Sequence, residues 1–183
     1  EFRRVLFRST SNDPPGPCNS LSDDVILTFM SPPSLSAVVT PVSCPGSSDG
    51  AINLSVTGGS APYTYGWSNG RTLEDISSLV SQSYSVNVTD ANGCTAQGYY
   101  SVSTAHSNPV VNVAASASSG CEGFVSTLTA SGASSYHWNP SQYLSAVAGS
   151  QVIANPLATI TYTVTGTDNF GCSATSSVTL ATT

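Results

Sequence analysis

The sequence predicts an all-β chain of tandem antiparallel β-sandwich modules, and three observations carry that reading. Only 8% of the 183 residues are charged and none is lysine, while Ser and Thr abound, a balance that suits half-buried strands and excludes coiled coils. Short stretches of alternating apolar and polar residues recur between clusters of Gly, Pro, Asn, Asp and Ser, the punctuation of a sandwich. The third observation is an internal repeat. Counting from Cys94 and from Cys172, Tyr84 and Tyr162 stand ten residues before, Val86 and Val164 eight, Thr89 and Thr167 five, Asp90 and Asp168 four, Gly93 and Gly171 one, and Ala96 and Ala174 two after.

In chain order, the first nine residues stand apart. EFRRVLFRS holds Arg3, Arg4 and Arg8, three of the four basic residues, beside Val5, Leu6 and Phe7. It lacks the initiator Met, the apolar run of about 7–15 residues and the small-residue cleavage site of a signal peptide. It resembles the in-frame translation of a sequencing adapter, so residues 1–9 are expected to be an artefactual leader on a metagenomic gene fragment, outside the fold. Residues 10–34 read as the C-terminal remnant of a truncated β repeat. Residues 35–104 read as one sandwich, with strands expected over 38–42, 51–56, 62–67, 83–89 and 94–103. Residues 105–183 read as a second, with strands over 110–114, 125–130, 135–138, 151–154, 159–167 and 172–180, after a short polar linker at 103–109.

The closing hairpins SYSVNVTDANGCTA and TYTVTGTDNFGCSA each read as a strand, an Asp-x-x-Gly turn and a return strand. Asp90 and Asp168 are expected to accept backbone N–H groups within the turn, and Gly93 and Gly171 to supply the positive φ. The cysteines fall at 18, 44, 94, 121 and 172 with no zinc-type spacing, so disulfides are the default and no metal site is expected. Separations of 50 residues for Cys44 and Cys94 and 51 for Cys121 and Cys172 point to one bridge per module, other pairings being formally open. Cys18 is then left over.

From Cys44 to Cys94 the run CPGSSDGAINLSVTGGSAPYTYGWSNG, followed by SYSVNVTDANGC, resembles the SprB repeat of secreted surface adhesins of gliding bacteria. The residues that carry the resemblance are Cys44, Asp49-Gly50, Gly58-Gly59, Pro62-Tyr63, Trp67, Gly70 and the close from Thr89 to Cys94, with Gln82 standing where the family tends to have glycine. The second module, with CEGFVSTLTASGASSYHWNP, Pro156 and TYTVTGTDNFGC, is similar to the Ig-like or PKD-like repeats that accompany SprB repeats. GPCNSLSDDVILTF, residues 16–29, is similar to the final hairpin of another such repeat. The resemblance implies an exported, extracellular protein, secreted by the type IX route, held at the cell surface as an adhesin or filament, with a sorting domain beyond Thr183.

Catalytic readings compete poorly. Gly46-Ser-Ser48-Asp-Gly50 fits G-x-S-x-G, with Asp75 or Asp90 and then His106 or His137 in hydrolase order, but Pro45 precedes it and a short alternating strand follows, where a nucleophile elbow needs a strand before and a helix after. The chain is therefore expected not to be an enzyme and to carry no cofactor. Asp49, Asp90, Asp168 and Asp23-Asp24 could offer oxygens to calcium, but none has EF-hand spacing and turn aspartates are the plainer reading. Tyr63, Tyr65 and Trp67 share one strand parity, so they are expected to face a core, and Trp138 is expected to be structural. The adjacent Tyr99 and Tyr100 point to opposite faces, which makes them the candidates for surface contact. Asn53 and Asn87 fit glycosylation sequons at about the frequency chance supplies in a Ser/Thr-rich chain.

Net charge is −6, and without residues 1–9 Arg71 is the one base against nine acids. Nothing here releases counterions from nucleic acid, and no stretch approaches the ~18 apolar residues of a membrane span. The expected partners are neighbouring β repeats of the same chain, and surface polysaccharide or another cell-surface protein. The function expected is a non-catalytic spacer or adhesion segment, with a glycan-binding accessory module of a secreted polysaccharide-degrading enzyme as the alternative.

Overall fold

A computed structural model of the chain describes residues 4–9, 23–28 and 31–183, the first two segments as backbone. Cys18 lies outside the described residues, as does most of the hairpin expected around it. Strands β1 (Arg4–Ser9) and β2 (Asp23–Thr28) form an antiparallel ladder in which Val5, Leu6 and Phe7 stand opposite Leu27, Ile26 and Val25. The backbone of the leader set aside on composition is thus paired with β2 over Arg4 to Ser9.

The rest is strands and turns, with no helix among the described residues. The chain divides into two compact units: the described residues to Val39 with Ile52–Ser77 and Ser83–Ser101, and Thr40–Ala51 with Ser78–Gln82 and Val102–Thr183. The second unit therefore takes in a segment, Thr40–Ala51, that lies far upstream of its main body in sequence.

In the first unit β3 (Ser34–Thr40), β4 (Gly50–Thr57) and β6 (Ile76–Leu79) form one sheet in the order β3-β4-β6, and β5 (Thr64–Trp67), β7 (Gln82–Thr89) and β8 (Thr95–Val102) form another in the order β5-β7-β8. Their inward residues follow strict alternation, Ile52 and Leu54 on β4 and Tyr84, Val86 and Val88 on β7, all buried. On β5 Tyr65 and Trp67, and Tyr63 just before it, lie on the more buried side while Thr64 and Gly66 are exposed, as period two requires. β6 was not expected from the sequence. It holds two apolar residues in four, and Ser78 has φ 54 within it.

In the second unit β9 (Asn112–Ala115), β11 (Ser126–Ser131) and β13 (Gln151–Ala154) form a sheet in the order β13-β11-β9. The opposing sheet is β10-β15-β14-β12, from β10 (Ser119–Gly120), β12 (Ser135–Asn139), β14 (Ile160–Thr167) and β15 (Ser173–Thr182). Leu128, Ala130, Trp138, Val152, Ala154, Tyr162, Val164 and Leu180 form the core between the sheets, with Phe124, Tyr136 and Ile160 packed against it. Burying this cluster is the main stabilising term of the sandwich. The outer face of β14 and β15 carries paired hydroxyls, Thr161 to Thr179 at 2.8 Å and Thr163 to Ser177 at 2.9 Å. Among the described residues no buried side-chain nitrogen or oxygen lacks a hydrogen-bond partner.

Candidate functional site

The chemistry-bearing feature of the second unit is built from the Asp168–Cys172 turn. The Asp168 carboxylate Oδ1 accepts the N–H groups of Phe170 and Cys172, each at 2.9 Å, and the Asp168 N–H donates to the Cys172 carbonyl at 2.9 Å. Gly171, at φ 85, closes the turn by donating to the Asp168 carbonyl. The backbone of Cys172 is thus held at both its polar groups, and the residue is 1% exposed.

The partner segment is fixed as tightly. Val42 bridges Thr104 in parallel, its N–H donating to Ser103 O at 2.9 Å and its carbonyl accepting Ala105 N–H at 2.7 Å. The loop that follows is drawn together by Asp49, whose Oδ1 accepts the Ser43 N–H at 3.0 Å. The Ser43 side chain and backbone, both hydrogen-bonded to Asp49, hold its carboxyl below the usual carboxylate range. Between these two anchored turns runs a disulfide, Cys44 to Cys172, with Cα atoms 5.4 Å apart. Beside it Phe170 stacks on His106, ring centroids 3.8 Å apart and planes within 9°. A cleft of about 350 Å³ opens between Cys44, Pro45, Asn108, Phe170 and Ser173.

This pairing corrects the one expected from spacing, for Cys94 and Cys121 are free thiols. β8 separates Cys94 from the residues that meet Val42, and its eight residues span about 26 Å, against the ~7 Å Cα limit for a disulfide. Likewise β10 meets the far end of β15, Gly120 opposite Thr182, while Cys172 stands before its first residue. The ten residues between put Cys121 roughly 33 Å from Cys172 along the strand.

The Asp90 turn repeats the Asp168 design. Asp90 Oδ1 accepts the N–H groups of Asn92 at 2.9 Å and Cys94 at 2.8 Å, Oδ2 accepts Ser60 N–H at 3.0 Å, and Gly93 has φ 82. Burial works to raise the Asp90 pKa, but the donors from Cys94, Ser60, Asn92 and Gly93 outweigh it and hold the carboxyl below its ordinary value. Both carboxylates are therefore committed to backbone donors. Among the described residues no cluster of three or more His, Cys, Asp or Glu could hold a metal ion.

Both tryptophans are core residues. Trp67 donates Nε1 to Leu73 O at 2.8 Å, and Trp138, 1% exposed, donates to Gly149 O at 2.9 Å. Neither offers a ring face to a sugar. Tyr99 is 73% exposed, whereas Tyr100 turns inward, its ring 6.2 Å from that of Trp67 and its phenol pKa raised by burial. Ser48 is exposed in a loop that leads into β4, so the strand-turn-helix of a nucleophile elbow is absent there. His137 is an exposed residue of β12. Ser43 and Phe170 were not singled out in the sequence, where no periodicity or motif marks them, and His106 entered there only as a candidate in hydrolase order, not as a ring partner of Phe170.

Residues 36–72 match the family model of the SprB repeat. A search of curated proteins finds no match. Among solved structures the chain is similar to the N-terminal eight Ig domains of Down Syndrome Cell Adhesion Molecule, at 11% identity and TM-score 0.42 over 90% of this chain and 26% of that one. It is also similar to the paired domains IG1+IG2 of DIP-gamma, at 14% identity and TM-score 0.37 over 83% of this chain and 98% of that one. A third is the mouse nectin-like molecule 4 ectodomain, at 16% identity and TM-score 0.36 over 82% and 63%. The chain thus spans about a quarter of the first of these. The assignment to all-β sandwiches rests on the strand ladders themselves. No helix among the described residues is long and apolar enough to cross a membrane.

Proposed function

We propose that this chain is a non-catalytic repeat segment of a large secreted bacterial surface adhesin, serving as spacer and adhesion modules in gliding motility or attachment. The SprB-repeat match over residues 36–72 carries the reading. A disulfide between two anchored turns supports an extracellular home, because such bonds persist in oxidising compartments. In this reading residues 35–104 form the SprB-like repeat, residues 105–183 an Ig-like or PKD-like repeat, and residues 10–34 the end of a preceding one. The parent protein is exported by the type IX route. Its neighbours are further β repeats of the same chain, and its ligand is surface polysaccharide or another cell-surface protein.

The test is antibody labelling against residues 35–183 on intact cells of the source bacterium. Labelling without permeabilisation is the expected result, and labelling only after permeabilisation overturns the proposal. The exposed rings of Tyr99 and Phe170, 73% and 63% exposed, favour one second reading, a glycan-binding accessory module. That reading requires glycan-array binding that Tyr99→Ala or Phe170→Ala abolishes, and a silent array removes it.

A further inference from the structure

The Cys44–Cys172 bond has a mechanical consequence that follows from covalent connectivity. It spans 128 residues. Every strand from β4 to β14 lies inside that loop, and of the strands in the 31–183 region only β3 and β15 lie outside it. Tension that reaches the 31–183 region from its two ends runs along β3 to Cys44, crosses the sulfur bridge and leaves along β15. Both strands are already extended, so detaching either from its sheet adds almost no length.

We propose that Cys44–Cys172 is a force bypass, which makes the 31–183 region a nearly inextensible link and shields the enclosed strands from tension carried along a surface filament. The inference rests on the adhesin reading for its biological setting and on the bond alone for its mechanics. The two anchoring turns add to it. Asp168 holds Cys172 and Asp49 holds the Cys44 loop, each through hydrogen bonds to backbone N–H groups, so the force enters the bridge at points tied into the second unit.

Optical-tweezer extension of the full oxidised chain, held by its termini, tests the proposal. A water-soluble phosphine then reduces the bond, its two electrons yielding two thiols while the phosphine takes oxygen from water as its oxide. Reduction is expected to increase the unfolded contour length by roughly 420–460 Å, the span of the enclosed residues at full extension. Cys44→Ser should release the same length without reductant, while Cys94→Ser and Cys121→Ser remain locked. No change on reduction overturns the proposal. So do two separate gains of roughly 165–180 Å, the signature of Cys44–Cys94 and Cys121–Cys172 loops. Failure of the adhesin reading is distinguishable, because a chain that locks under tension but is never displayed on cells keeps the bypass and loses its setting.

Discussion

Replacing Cys44 with serine isolates the bridge from the core, because Cys44 is half-buried while Cys172 is 1% exposed and keeps its place. The bond closes a loop of 128 residues. In the chain-entropy relation a loop of that size constrains the unfolded state by about 5 kcal/mol, against about 4 kcal/mol for a loop of 50 residues. For a chain of this length a loss of about 5 kcal/mol lowers the melting temperature by roughly 10–20 °C. Thermal unfolding of oxidised wild type and Cys44→Ser, followed by tryptophan fluorescence and near-ultraviolet circular dichroism, measures the difference. Wild type under reductant should melt with the variant, and Cys94→Ser and Cys121→Ser should melt with oxidised wild type. If instead Cys94→Ser and Cys121→Ser each lose stability on this scale, the pairing described here is refuted in favour of the one that loop spacing suggests.

The Asp90 carboxyl is held below the usual range in the fold, so between its folded and unfolded pKa values the unfolded chain binds more protons and stability rises with pH. Its contribution is complete above the unfolded value of about 4 and is lost as pH falls through the folded value. Asp90→Asn should therefore show a smaller loss of urea midpoint between pH 7 and pH 3 than wild type, and an equal loss would contradict the assignment. Gly93→Ala and Gly171→Ala should each cost about 1–2 kcal/mol by equilibrium unfolding, since an added Cβ meets nothing within 4 Å and the positive φ is the whole penalty. Trp138→Ala should cost about 3–5 kcal/mol in denaturant titrations, removing a buried ring together with its bond to Gly149 O.

Much of this fold was legible because local rules and tertiary demands coincide. The parity shared by Tyr63, Tyr65 and Trp67 named the inward face of β5, and the Asp-x-x-Gly-Cys pattern named two turns whose hydrogen bonds correspond atom for atom at Asp90 and Asp168. β13 was placed to the residue. β6 and β10 were missed, the first because Ser77 and Ser78 interrupt its apolar pattern and the second because two residues in a parallel pairing leave no periodic trace. The disulfide was misread for a different reason. Loop length is a property of sequence, but which cysteines meet depends on where each falls in the strand register, and Cys94 and Cys172 both fall at turns rather than within strands. The pairing partner of Cys172 is set by the parallel bridge of Val42 to Thr104, a contact between segments some sixty residues apart that no local pattern announces.

The hydroxyl pairs on the outer face of β14 and β15 carry no formal charge. Cross-strand pairs of this kind contribute about 0.2–1 kcal/mol each, comparable to what surface ion pairs offer. The difference lies in the solvent. Raising ionic strength from 0.01 M to 1 M shortens the Debye length from about 30 Å to about 3 Å and weakens exposed ion pairs, yet leaves neutral donors and acceptors untouched. With only 8% of its residues charged and Thr161, Thr163, Ser177 and Thr179 lacing its outer sheet, this protein presents a face that is the same in fresh water and in brine.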